Sequence, residues 1–222
     1  IISGIKACAK QYHMDLIGGD TVSSEQLVIS ITVIGYVNKR AVRYRHHARP
    51  NDIIFVTGTL GDSQAGLHIL MGNDQYRQQT YFIQRHQQPT PRVDFVRHLK
   101  HIKRMSLNDI SDGLANEAIE IAEASNVSMI IEENRIPVSE QYAQFPPQLQ
   151  KKWKLFGGED FELVGTVPKT DWQSVQKVAE QLRVQVTKIG HVKSRSELNR
   201  EAYLRTKDEM YELSKDGYTH LR

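Results

Sequence analysis

Three short segments of the 222-residue chain set acidic residues beside glycine, directly after an apolar stretch. They are Ile17-Gly18-Gly19-Asp20-Thr21, Asn108-Asp109-Ile110-Ser111-Asp112-Gly113 and Phe156-Gly157-Gly158-Glu159-Asp160. Glycine lets the backbone turn through positive φ and lets a ligand come close to the main chain. Carboxylates at such turns cannot take a phosphate directly, because like charges repel. They make sense if a hard cation lies between them and the phosphate oxygens. Magnesium suits this, since it uses one or two carboxylates, keeps waters and draws its remaining ligands from phosphates. Each turn taken alone also has an ordinary reading. Gly-Gly-Asp is a common turn, and Asp112 in Ser111-Asp112-Gly113 would serve as a helix cap. Three together point to magnesium and nucleotide phosphate.

Other constellations carry less. Gly58-Thr59-Leu60-Gly61-Asp62-Ser63 follows a strand and opens a helix, as a phosphate loop would. It lacks the Lys-Ser/Thr ending of a Walker loop and the glycine spacing of a dinucleotide site, so it reads as a tight structural connection. The Asp-Phe-Gly and His-Arg-Asp signatures of protein kinases are missing. His46-His47 reads as solvent-exposed, and Cys8 as a small core residue. Arg45 and Arg92 are candidate phosphate partners because a guanidinium fork matches phosphate geometry. Sequence alone does not separate them from Arg40, Arg43 or Arg49.

The elements that must position these turns alternate between strand and helix. The chain opens on Ile1-Ile2-Ser3-Gly4-Ile5, already inside an amphipathic helix and without methionine, as a C-terminal portion or a chain with a missing beginning would. Strand patterns follow at His13–Ile17 and Gln26–Val37, and a domain boundary is expected near residue 40. Asp52–Thr57 reads as a buried strand and Asp62–Met71 as a helix, with further helices at Gln75–Gln87 and Arg92–Ile102 around Pro89-Thr90-Pro91. Met105–Ile110 is a strand, and Leu114–Ala124 a helix with the stripe Leu114, Ala118, Ile121, Ala122. Val127–Glu132 is another strand, and Ile136–Trp153 is Pro-rich and mostly irregular. Phe161–Val167, Thr170–Leu182 and Val184–Val192 read as strand, helix and strand. Ala202–Leu221 resembles a hairpin closed near Asp216-Gly217. The fold class is therefore α/β, layered on a mixed sheet.

Composition narrows the classes of function. The 29 basic and 26 acidic residues leave a formal charge of only +3, and the basic residues are scattered. Without clustering on one face or a nucleic-acid motif, nucleic acid is not an expected partner. No apolar run approaches the roughly 18 residues of a membrane span. Cys8 is the single cysteine, so no disulfide framework exists and a cytoplasmic setting is expected.

The three acidic turns belong to a longer ordered series. It comprises Leu16-Ile17-Gly18-Gly19-Asp20-Thr21, Arg45 with Ala48-Arg49-Pro50-Asn51-Asp52, Val56-Thr57-Gly58-Thr59-Leu60-Gly61 and His86 with Pro89-Thr90-Pro91-Arg92. Asp109-Ile110-Ser111-Asp112-Gly113-Leu114, Gly157-Gly158-Glu159-Asp160-Phe161-Glu162-Leu163 and Ile189-Gly190-His191-Val192 complete it. In order and spacing the chain resembles the bacterial thiamine-monophosphate kinases, of the superfamily that holds aminoimidazole ribonucleotide synthetase and selenophosphate synthetase. The resemblance runs from about residue 4 to the C-terminus. It implies a two-domain architecture with most of the first domain missing: residues 1–40 as the remainder of an N-terminal ATP- and magnesium-binding dimerisation domain, and 41–222 as the C-terminal α/β domain.

The activity so implied is phosphorylation of thiamine monophosphate by ATP with Mg2+, by direct in-line transfer, in an enzyme that is a homodimer at full length. Asp20, Asp109 and Asp112 would be the magnesium ligands and catalytic acids. Gly19, Asp20, Arg45 and Ser111 would contact ATP. Glu159 or Asp160 would lie at the thiamine end, and Tyr218 would stack on the cationic ring. Asn51 stands where the family usually has a turn glycine, and Asn tolerates the left-handed conformation. Phe161 replaces a commoner tyrosine. A selenophosphate synthetase or aminoimidazole ribonucleotide synthetase would share the ATP chemistry, although residues 157–163 argue against the latter. A non-catalytic nucleotide-binding module is the reading from another class.

Overall fold

The computed structural model describes residues 1–39, 41–72 and 75–215. The chain divides into two compact units, Ile1–Tyr36 and Val37–Arg222. In the first, helix α1 (Ile2–Gln11) buries only Ala9, and Cys8, expected in a core, is exposed. The strand patterns at His13–Ile17 and Gln26–Val37 form no strand. A strand is fixed by the ladder it joins, and β-type composition measures fit to neighbouring strands rather than a backbone preference of its own. Val28, Ile31, Val33 and Ile34 are correspondingly exposed.

The second unit is built on a sheet that has seven strands among the described residues. They are β1 (Ile53–Thr57), β2 (Ser106–Asp109), β3 (Val127–Glu132), β4 (Leu163–Val167), β5 (Val186–Ser194), β6 (Ala202–Arg205) and β7 (Met210–Glu212). The spatial order is β2-β4-β1-β5-β3-β6-β7. The β3–β6 pair is parallel and the other neighbours are antiparallel. Two-residue alternation sorts β1 cleanly. Ile54 and Val56 join one apolar cluster and Ile53 and Phe55 the other.

The helices cover both faces. On the first, α5 (Leu114–Ser125) buries Leu114, Ala118, Ile121 and Ala122 against Val56, Met129, Ile131 and Ile189. On the second, Phe95 of α4 (Val93–His98) and Val175, Val178 and Ala179 of α7 (Trp172–Leu182) pack on Phe55 and Val167. A third cluster joins α2 (Asp62–Met71), α3 (Gln79–Gln87) and α6 (Pro147–Phe156) through Ile69, Phe82, Tyr142, Phe145 and Trp153. Helix α6 corrects the irregular reading of 136–153. Pro147 occupies the first helical turn, where its missing N–H costs nothing, so it starts a helix rather than breaking one. The C-terminal hairpin closes earlier than Asp216-Gly217, which lies outside the described residues. Its turn is tied by the Thr206 N–H donating to Glu209 O at 2.8 Å. Asn51 takes the left-handed backbone expected of it, at φ 73°.

Candidate active site

Two of the three acidic turns meet at one end of the sheet. Asp109, last residue of β2, faces Leu163, first residue of β4. Beyond that pair the turns are stitched by main-chain bonds. The Ile110 N–H donates to Glu162 O at 2.7 Å, the Phe161 N–H to Ile110 O at 3.0 Å and the Glu159 N–H to Ser111 O at 2.8 Å. Gly113 closes the second turn at φ +105°, and a Cβ there would lie 2.8 Å from the Phe156 backbone. Only glycine fits both demands.

The acids then separate by environment. Asp109 is exposed and Asp112 partly so, and neither carboxylate has a hydrogen-bond or ion-pair partner among the described residues. Asp112 does not cap α5, whose N-cap is Gly113 with no side-chain bond. The capping alternative for Asp112 is thereby removed. Behind the turn sits Glu117, buried in the first turn of α5. It accepts from the Ser111 hydroxyl at 3.2 Å, from the Asp112 N–H at 3.3 Å and from the Asn108 side-chain amide. Burial pushes its carboxyl up to about 7, with the charges of Glu120 and Asp109 adding to the rise and the Asp112 and Ser111 bonds opposing it.

Glu159 and Asp160, equal candidates in the sequence, point to different places. Glu159 is exposed, with its Oε2 3.4 Å from His86 Nδ1. Asp160 is buried, accepting the N–H of Gly61 at 2.6 Å and of Ser63 at 3.1 Å. Those amides open α2, so Asp160 sits where a phosphate would sit if Gly58–Ser63 were a phosphate loop. Desolvation raises its carboxyl to about 7, against the two N–H bonds.

Glu162, not singled out in the sequence, is the most heavily bonded acid among the described residues. It accepts from Thr57 Oγ1 at 2.7 Å, Arg85 Nη2 at 2.9 Å, Arg92 Nε at 2.7 Å and Arg92 Nη2 at 2.5 Å. Burial alone would lower the Arg85 pKa, but the charge and hydrogen bond of Glu162 leave it raised. Arg92, a candidate phosphate partner, is thus also held by a buried carboxylate. A carboxylate with a side chain only 1 % exposed must be paired, and Arg92 is one of its pairs. An acid at the head of the apolar run 161–167 was the available signal. Gly58 belongs to the same arrangement, because at φ +57° a side chain there would collide with the Glu162 carboxylate.

Arg45 lies in a short 3-10 turn and pairs with Glu120 at 3.1 Å, the two side chains 50 % and 41 % exposed. So open a pair is weak, leaving the guanidinium available to a ligand. Gly19 and Asp20 belong to the first unit and are exposed, and Asp20 Oδ1 accepts the Thr21 N–H at 2.7 Å. Tyr218 lies outside the described residues. Among the described residues no three His, Cys, Asp or Glu side chains converge as a metal site. Two open carboxylates flanking one turn nonetheless suit magnesium, which needs only one or two from the protein. Beside Asp109 a groove of about 470 Å³ runs between α4 and the start of β4, lined by Pro91, Val93, Val96, Phe161 and Leu163, with Asp109, Arg92 and Arg97 as its charged members.

A mixed sheet carrying these paired acidic turns defines a class, the AIR synthase related proteins. The model of their C-terminal domain matches residues 49–202, and that of their N-terminal domain matches residues 1–37. Thiamine-monophosphate kinase of Bacillus subtilis (strain 168) is 44 % identical over 99 % of this chain and 68 % of its own length. The crystal structure of thiamine-monophosphate kinase from Stenotrophomonas maltophilia K279a superposes with a TM-score of 0.67 at 25 % identity, over 78 % of this chain and 55 % of that one. A second structure, described as AaThiL complexed with AMPPCP and TMP, gives 0.62 at 30 % identity, over 79 % of this chain and 53 % of that one. The chain belongs to the thiamine-monophosphate kinase family, and it spans only about half the length of the solved structures it matches.

Proposed function

We propose that the protein phosphorylates thiamine monophosphate to thiamine diphosphate at the expense of ATP. The observation that carries this is the stitched pair of turns, with the Asp109 and Asp112 carboxylates open at one end of the sheet and without partners among the described residues. With Asp20 they would hold Mg2+, while Gly19, Arg45 and Ser111 would engage ATP. Of the thiamine-side candidates, the exposed Glu159 is the one able to face a cationic ring, and Asp160 supports it from beneath. Tyr218 remains the proposed stacking partner.

The acceptor is a phosphate oxygen already ionised at neutral pH, so no strong general base is required. That agrees with a site of carboxylates and arginines rather than nucleophilic side chains. Catalysis is then positioning and charge compensation of an in-line transfer. Magnesium, when bound, would neutralise the phosphate oxygens. Residues 1–40 would be part of an N-terminal ATP-binding dimerisation domain and 41–222 the C-terminal domain of a cytoplasmic homodimer. The test is a coupled assay of the complete protein with Mg-ATP and thiamine monophosphate. Formation of thiamine diphosphate is expected. Turnover of aminoimidazole precursors, with thiamine monophosphate untouched, would overturn the reading.

A further inference from the structure

We propose that Glu162 is a positioning residue for the acceptor substrate, holding the Glu159–Phe161 segment, whose Phe161 lines the groove beside Asp109. Glu159 and Phe161 adopt left-handed backbone at φ 65° and 48°. Side chains other than glycine, and bulky ones above all, take that conformation only where the surroundings impose it. The surroundings here are two anchors. Asp160, between the strained pair, is fixed in the first amides of α2. Glu162, next in the chain, is fixed by Thr57 at the end of β1, Arg85 on α3 and Arg92 just before α4.

The second anchor acts on both walls of the groove. Phe161 lines one wall and is bonded to Glu162 through the chain. Arg92 lines the other and is held by the same carboxylate. Glu162 itself is buried and does not line the groove. It therefore acts through its neighbours rather than on the ligand. The inference rests on the kinase reading for the identity of the acceptor, but not for the anchoring.

Two measurements on Glu162→Gln in the complete protein test it. Amide exchange at Glu159 and Phe161, both bonded to the second acidic turn, should quicken about tenfold or more, beyond any change at core amides of α5. The KM for thiamine monophosphate should rise about tenfold while that for ATP stays within about twofold. Unchanged local exchange overturns the anchoring. Equal rises in both KM values, or a loss of kcat alone, overturn substrate positioning. If Glu162→Gln does not fold, Arg85→Lys keeps the charge but loses the planar fork and should show smaller changes in the same direction. Should wild-type protein leave thiamine monophosphate unphosphorylated, the kinase reading falls, and the exchange result still decides the anchoring.

Discussion

At the scale of single residues, four acids within two turns are given different work by their surroundings. Asp112 is half-open and caps nothing, so its removal tests chemistry more than folding. Asp112→Asn should lower kcat by about two or more powers of ten while Tm shifts only slightly. An unchanged rate would return Asp112 to a purely structural part. Asp160 is the opposite case. Its carboxyl sits near 7 in the folded protein against about 3.9 in an unfolded chain. The stability from this raised value is complete below the unfolded pKa and is lost as pH rises through about 7. Urea unfolding without magnesium should show wild type weakening between pH 5 and pH 8 by roughly 2 kcal/mol more than Asp160→Asn does. Parallel pH profiles for the two proteins would show that Asp160 does not titrate in this window.

At the scale of elements, the junction between β2 and α5 is the critical piece. It needs positive φ at Gly113 and leaves no room for a side chain against Phe156. Gly113→Ala should cost about 1–3 kcal/mol in thermal or urea unfolding and disable the site along with it. A variant of wild-type stability would mean the turn relaxes freely. Elements with self-contained patterns were legible in the sequence. β3 at Val127–Glu132 and α2 at Asp62–Met71 agree with the periodicity to the residue. Gln26–Val37 was not, because a strand depends on partners that composition does not supply. Helix α6 was missed because proline marks a helix start as readily as a stop. At the site, the glycine-flanked acids were visible as a set. Which of Glu159 and Asp160 faces inward was not, since the amides that hold Asp160, at Gly61 and Ser63, lie 99 and 97 residues away. Glu162 escaped for a related reason, as its role is defined by arginines 77 and 70 residues away.

At the scale of the molecule, apolar burial is divided unevenly. The seven-stranded sheet and its three clusters lie within residues 37–215, whereas Ala9 is the single buried apolar side chain among residues 1–36. A segment comprising residues 37–215 should melt in one cooperative transition on its own, while residues 1–36 should not, having too little burial to offset chain entropy. Calorimetry of the two segments checks this, and a broad, non-cooperative melt of the larger one would refute it. The seat of Asp160 in the opening amides of α2 also has a meaning for mass action. A group tethered to the chain competes with free ions as though present at millimolar or higher concentration. Phosphate or sulfate in solution would have to outmatch that internal competitor to enter the Gly58–Ser63 turn. The Asp160 side chain thus fills the anion-binding geometry of this strand–loop–helix unit from within the chain.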